Sequence, residues 1–130
     1  MNVDPLSDDG FRNNLALSRA ARGVFGLRHM DVDLYQLCKY CRRPELFIES
    51  TSKVGFKNTR DLRVLGTICG SPTLLVKHVF NDVLHEHPID MFLWEPGRTG
   101  RDDLPDEELR NGSWGNLQSY LLLASERHSC

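Results

Sequence analysis

The chain has 130 residues, of which 40% are hydrophobic and 26% charged, a composition typical of one soluble globular domain. Its 16 basic and 18 acidic side chains give a net charge of −2, which provides no general argument for nucleic-acid binding. Apolar runs are far shorter than the ~20 residues that cross a bilayer, and the first ten residues are acidic where a secretory signal is basic. We therefore expect a cytoplasmic protein with no membrane segment.

Hydrophobic periodicity predicts an alternation of helices and strands. The first predicted elements are a helix from about Asp9 to Val24, a strand over 29–37 and a strand over 46–51. A helix capped at Asn58 or Thr59 and ended at Gly70 follows. The last predicted elements are a strand over 73–80, a short strand over 89–93 and a helix over 114–127. A strand hairpin followed by a helical crossover predicts a single α/β domain, with a mixed β-sheet, flanking helices and an αββαβ core. We assign residues 1–95 to this core and 96–130 to a charged linker and a C-terminal amphipathic helix packing on the same domain.

Basic side chains are concentrated in the first part of the chain. Residues 1–80 carry 12 basic and 8 acidic side chains, whereas residues 81–130 carry 4 basic and 10 acidic ones. The basic part can attract phosphates, which makes DNA a candidate partner. The candidate nucleic-acid contacts are Arg42, Arg43, Lys57 and Arg60. Solvated charged faces without a ligand are the alternative interpretation.

Three acidic residues lie on the strands of the predicted hairpin. Asp31 and Asp33 share one face of the first strand, and Glu49 lies near the end of the second. Converging carboxylates repel each other unless a cation lies between them, and ligation by oxygen alone favours Mg²⁺ or Mn²⁺. Such a metal coordinates a phosphate oxygen and activates an attacking water. The alternatives are an ion pair of Glu49 with a nearby basic residue and an acidic solvent face on an edge strand.

The run from Met30 to Thr51, followed by a helix and the strand TLLVKHV, resembles the core of the PD-(D/E)XK, or restriction-endonuclease-like, nuclease superfamily. The segment 38–45 also resembles small uncharacterised proteins encoded by bacteriophages of actinobacteria. The resemblance implies a metal-dependent deoxyribonuclease whose metal ligands are Asp33 and Glu49. A phage-encoded protein of this kind is expected in the cytoplasm of the bacterial host.

One position departs from the family pattern. The lysine that the family carries two residues after the second acid is replaced by Thr51, which supplies no positive charge. Lys53 and Lys77 are the candidate replacements, so the implied catalytic positions are Asp33, Glu49, Thr51, Lys53 and Lys77. The second interpretation is that the protein is a relative of these nucleases without catalytic activity. The third is that the protein has a different fold. A non-enzymatic phage accessory or virion-associated protein, whose C-terminal helix contacts a protein partner or a second copy, is the alternative function.

Cys38 and Cys41 form a CxxC motif at the hairpin. Zinc at this motif needs two further ligands, which Cys69, Cys130 or a histidine would have to supply. No second closely spaced ligand pair follows in the sequence, which favours a pair of thiols at the hairpin over a zinc knuckle or a redox pair. We therefore expect no zinc here, and we expect Cys69 to be a small core residue.

Overall fold

The computed structural model describes residues 19–20, 32–52 and 54–130. The chain divides into two compact units between residues 31 and 32, and the architecture below is that of the unit Val32–Cys130. Of the predicted first helix only Arg19 and Ala20 are described, and both are helical. The rest of that helix and the beginning of the next predicted strand lie outside the described residues.

Five strands and two helices form the described part of this unit. They are β1 (Leu34–Leu37), β2 (Pro44–Thr51), α1 (Arg60–Cys69), β3 (Thr73–Lys77), β4 (Ile89–Trp94), β5 (Glu107–Gly112) and α2 (Trp114–Arg127). The strands lie in sequence order in one sheet, in which β2 and β3 are parallel and all other neighbours are antiparallel. The predicted α/β class, with a mixed sheet and a C-terminal helix, is confirmed. Within the described residues, neither helix is long and apolar enough to cross a membrane.

Apolar side chains are buried on both faces of the sheet, because successive residues of a strand point to opposite faces. The larger core consists of Leu46, Ile48, Leu74, Val76, Ile89, Met91 and Leu93. Helix α2 covers this core with partly buried side chains that include Leu117 and Tyr120. On the opposite face Leu75, Phe92 and Trp94 form a second buried cluster. Helix α1 lies on this second face, where the Arg63 guanidinium is 5.3 Å from the Trp94 ring centroid.

Gly66 allows α1 to lie directly against the sheet. A Cβ atom at this position would be 2.7 Å from the backbone oxygen of Ser71 and 3.0 Å from the Thr73 hydroxyl. The helix ends at Gly70, whose φ of 70° is left-handed and therefore favours a residue without a side chain. The N–H of Ser71 then donates to the Gly66 carbonyl at 2.7 Å. These two glycines bring the helix close to β2 and turn the chain into β3.

Three details of the predicted strands differ from the structure. Strand β1 begins at Leu34, later than the predicted range of 29–37, because the preceding residue forms a bend. Strand β3 ends at Lys77, earlier than the predicted range of 73–80, and the apolar residues after it are exposed. Strand β5 has no counterpart in the prediction, because Leu109 is its only large apolar residue.

The predicted charged linker over 96–105 is attached to the sheet and to α1 by hydrogen bonds. Arg63 donates to the backbone oxygens of Arg98 and, at 3.0 Å, Gly100. The indole N–H of Trp94 donates to the backbone oxygen of Asp103 at 3.0 Å. The segment is therefore a structured loop that leads from β4 to β5.

Candidate functional site

The first candidate site lies where the start of β1 meets the end of β2. The strand register pairs Leu34 with Ile48. Asp33, one residue earlier, therefore lies opposite Glu49, one residue later, and residues opposite each other across a ladder share a face. A carboxylate oxygen of Asp33 accepts a hydrogen bond from the backbone N–H of Ser50 at 2.8 Å. We refer to Asp33 and Glu49 as the carboxylate pair.

Glu49 is a buried acid with both a negative and a positive neighbour. The residue is 7% exposed, and the Lys57 ammonium donates to its Oε1. Burial raises the pKa of Glu49 above its ordinary value of 4.5, and the charge of Asp33 raises it further, while Lys57 lowers it. The effects that oppose ionisation of Glu49 are the stronger ones, so ionisation of this acid destabilises the folded chain. Acids held in this way are concentrated at functional sites.

The raised pKa leads to a prediction about stability. Because the folded-state pKa of Glu49 exceeds its ordinary value of 4.5, the stability that this group contributes is fully present below pH 4.5 and is lost as the pH rises through the raised value. We expect the Glu49→Gln variant to melt at a higher temperature than the wild type at neutral pH. The difference should shrink on acidification. Thermal unfolding followed by circular dichroism between pH 4.5 and neutral pH measures this difference in melting temperature. A lower melting temperature of Glu49→Gln than of the wild type at neutral pH would contradict the destabilising effect of Glu49.

The lysine that contacts the carboxylate pair is Lys57, for which the sequence predicts a role in nucleic-acid binding. Thr51, at the family's lysine position, is buried, and its backbone oxygen accepts from the N–H of His78 at 3.0 Å. Lys77 lies in register with Thr51 at the end of β3, and its ammonium is 5.7 Å from the Phe56 ring centroid. Two predicted site residues lie outside the described part of the chain, namely Asp31 and Lys53.

The other predicted nucleic-acid contacts are divided between two places. Arg42 and Arg43 are exposed in the turn between β1 and β2. Arg60 is the first residue of α1, and its Nε donates to the backbone oxygen of Thr99 at 3.1 Å. Arg60 therefore has a structural contact, while the two hairpin arginines are accessible to a ligand.

The second candidate site is a group of four metal-ligating side chains, which we call the Cys₃His cluster: Cys38, Cys41, His128 and Cys130. Their ligand atoms all lie within 4.8 Å of one another. The sulfurs of Cys38 and Cys130 are 3.6 Å apart, and the sulfur of Cys41 is 3.1 Å from Nε2 of His128. Three thiols and one imidazole form a ligand set that binds zinc tetrahedrally. The expectation of no zinc is therefore wrong, because residues after α2 supply the two missing ligands.

Hydrogen bonds within the Cys₃His cluster change the acidity of its thiols. They lower the pKa of Cys41 to about 6, and the contact with Cys130 has the largest effect, followed by the contact with His128. Hydrogen bonding to Cys41 and Cys38 raises the pKa of Cys130 to about 12. Cys69 takes no part in the cluster, and it is exposed at the end of α1, which corrects the prediction of a core position.

The two candidate sites lie at opposite ends of β1. Asp33 precedes this strand and Cys38 follows it, so the 4 residues of the strand separate the carboxylate pair from the Cys₃His cluster. A strand of this length spans about 13 Å, which is too far for the two sites to share a metal ion. No family model matches the chain, and no curated protein or solved structure matches it.

Proposed function

We propose that this chain is a divalent-metal-dependent hydrolase of the PD-(D/E)XK type, which cleaves phosphodiester bonds in DNA with Asp33, Glu49 and Lys57. One observation carries the proposal, namely that Asp33, just before β1, reaches the backbone beside Glu49 on β2, and that the Lys57 ammonium is bonded to Glu49. The raised pKa of Glu49 means that the fold keeps this acid despite a cost in stability. Such a cost is typical of a site retained for chemistry.

The order of the elements also supports the proposal. In the family that the sequence resembles, the first acid lies on one strand of a hairpin, the second acid lies on the next strand, and a helical crossover follows. In this chain Asp33 directly precedes β1, Glu49 lies on β2, and α1 connects β2 to the parallel strand β3. Glu49 on β2 and Asp33, one residue before β1, support the proposal by this element order.

The chemistry divides between the carboxylate pair and Lys57. A divalent cation bound by two carboxylates provides an activated water and a contact for a phosphate oxygen. Asp33 and Glu49 would supply its oxygen ligands. Lys57, whose side chain is 42% exposed, supplies the positive charge that Thr51 lacks and can donate to a phosphate oxygen as negative charge develops. In the hydrolysis the water oxygen would lose one proton to solvent and bond to phosphorus, the bond from phosphorus to one deoxyribose oxygen would break, and that oxygen would take up a proton from solvent.

A shallow depression beside Lys57 is open to a DNA backbone. Its lining consists of Ser50, Thr51, Ser52, Lys57, His78, Phe80 and Asn81. None of these described residues is acidic, and several offer hydroxyl, imidazole or amide donors. The depression therefore suits a phosphate, whose oxygens accept hydrogen bonds and favour positive charge.

The alternative function, a protein contact through the C-terminal helix, has weaker support. Leu117, Tyr120, Leu121 and Ala124 of α2 pack against the larger core of the sheet, so this apolar face already has a partner within the chain. Leu122 is 66% exposed on the outer side of the helix, but one exposed leucine is common on protein surfaces. We therefore prefer DNA to a protein as the partner.

A DNA-cleavage assay that compares the wild type with Glu49→Gln, in which a neutral amide replaces the acid, tests the proposal. Wild-type protein supplied with Mg²⁺ or Mn²⁺ is expected to cut at least one of supercoiled, linear or single-stranded DNA. Glu49→Gln should lower the rate by a factor of about 10² or more while the fold persists, because a metal ligand is lost. The matched control is Glu45→Gln, which changes another buried glutamate of β2, one that accepts a hydrogen bond from Gln36 at 2.7 Å. A wild type that is inert on all of these substrates, or equal rates for wild type and Glu49→Gln, would reject the proposal.

A further inference from the structure

The turn between β1 and β2 presents two sulfurs in the manner of a metal-binding loop. The backbone N–H of Tyr40 donates to the sulfur of Cys38 at 3.4 Å. The turn is closed by the N–H of Arg42, which donates to the Cys38 carbonyl at 2.9 Å. Backbone N–H groups that point at sulfur stabilise thiolates, which are the form that binds metal.

The segment after α2 supplies the other two ligands. The helix ends at Arg127, and His128 adopts an extended conformation with φ −70° and ψ 135°. This change of direction brings the imidazole to Cys41 and the thiol of Cys130 to Cys38. Cys38, in the hairpin, and Cys130, after α2, are 92 residues apart in the sequence.

The distances distinguish a metal site from a disulfide. A tetrahedral zinc ion with zinc–sulfur bonds of about 2.3 Å holds its sulfurs about 3.8 Å apart. The sulfurs of Cys38 and Cys130 are 3.6 Å apart, whereas a disulfide needs about 2.05 Å. All four cysteines of the chain are free thiols. The Cys38–Cys130 distance therefore suits two ligands of one ion, and all four ligand atoms of the cluster lie within 4.8 Å of one another.

We propose that Cys38, Cys41, His128 and Cys130 bind one structural Zn²⁺ that fixes the end of helix α2 to the β1–β2 hairpin. Four protein ligands close the tetrahedron, so no position is open for substrate and the site is not catalytic. The inference does not depend on the proposed nuclease activity, because no residue is shared with the carboxylate pair.

The packing of α2 explains why such a link matters. None of the residues of α2 is fully buried, so its packing on the sheet is shallow. At its beginning, the indole N–H of Trp114 donates to Asp82 at 3.1 Å, and Ser113 and Asn116 form a capping box. In its second half, the Leu121 carbonyl accepts from Gln36 of β1 at 2.9 Å. Zinc would anchor the far end of this helix and thereby keep the larger core of the sheet covered.

Metal analysis of cysteine variants tests the inference. Protein expressed with added zinc is expected to retain one equivalent of zinc through purification, and Cys41→Ser should lose it. The matched control is Cys69→Ser, which changes an exposed thiol outside the cluster and should retain the full equivalent. A chelator should lower the melting temperature of wild type and of Cys69→Ser by at least about 10 °C, since structural zinc contributes directly to folding.

A spectroscopic readout covers the case in which Cys41→Ser does not fold. Wild-type protein loaded with Co²⁺ should show the intense visible bands of a tetrahedral thiolate site, and added Zn²⁺ should abolish them. A wild type that neither retains zinc nor gives these bands would overturn the inference. A Cys38–Cys130 disulfide found by mass spectrometry of unreduced protein would also overturn it, as would equal loss of zinc in Cys69→Ser.

Discussion

Replacing Arg63 by leucine is expected to lower the free energy of unfolding by about 3 kcal/mol, because two backbone oxygens lose a buried donor. Arg63 is 4% exposed although it is charged. Its guanidinium donates to the Thr59 hydroxyl and the Gly100 carbonyl, each at 3.0 Å, and to the Arg98 carbonyl. Burial lowers the pKa of Arg63 below its ordinary value, and a guanidinium keeps its charge in proteins. Loss of Arg63 therefore removes the buried hydrogen bonds that join α1 to the loop between β4 and β5.

Urea unfolding followed by tryptophan fluorescence measures this effect, and Arg60→Leu is its matched control. Arg60 lies on the same helix and bonds the same loop, but it is exposed and makes a single contact with the Thr99 carbonyl at 3.1 Å. Its loss should cost less than about 1 kcal/mol. Arg63→Lys should also be destabilised, because an ammonium cannot reproduce the fork of the guanidinium. Equal stability of Arg63→Leu and wild type would refute the structural role.

Replacing Lys57 by methionine is expected to reduce DNA cleavage by a factor of about 10² to 10³, the usual effect of removing one group that stabilises transition-state charge. This prediction rests on the proposed function. The same change removes the positive partner of Glu49, and Lys57 lowers the pKa of that acid in the wild type. The pKa of Glu49 should therefore rise further, and the acidic limb of the pH–rate profile should move to higher pH. Any loss of the ion pair moves this limb, so the catalytic role is read from the rate at the plateau of the profile, which a purely structural role for Lys57 would leave close to that of the wild type.

Lys39→Met is the matched control for the loss of positive charge. Lys39 is exposed in the β1–β2 turn, where its ammonium lies 5.1 Å from the Tyr40 ring centroid. It lies at the far end of β1 from the carboxylate pair, so cleavage should be close to that of the wild type. Lys57→Arg keeps a cation beside Glu49 and should recover part of the activity. Equal losses in Lys39→Met and Lys57→Met would point to general attraction of DNA and would contradict the catalytic assignment.

Local patterns were sufficient to predict some elements and insufficient for others. The predicted boundaries of the last helix, 114–127, are those of α2, because apolar residues at helical spacing follow a capping serine, Ser113. Strand β5 was not predicted, because Glu107, Glu108 and Arg110 give it the composition of a solvated loop. It is a strand because it pairs with β4 and packs Leu109 on the core. Such pairing depends on tertiary contacts that a local pattern does not contain.

Some residues of the two candidate sites could likewise be predicted from the sequence, and others could not. The carboxylate pair could be proposed from the sequence because its acids lie on adjacent strands of a predicted hairpin. Lys57 was missed as the partner of Glu49, because it lies in the irregular stretch before α1, where no periodicity indicates a direction. The zinc site was not predicted, and the expectation of no zinc was wrong. Cys38 and Cys41 form a visible motif, but His128 and Cys130 reach them only through the path of α2 across the sheet.

The central claim is that the carboxylate pair is a metal centre, and the most direct test is to locate a divalent cation there. We predict that crystals soaked in Mn²⁺ show anomalous density between the carboxylates of Asp33 and Glu49, and that crystals of Glu49→Gln show none at this position. Wild-type crystals that hold no ion there, with the Lys57 ammonium still bonded to Glu49, would contradict the account.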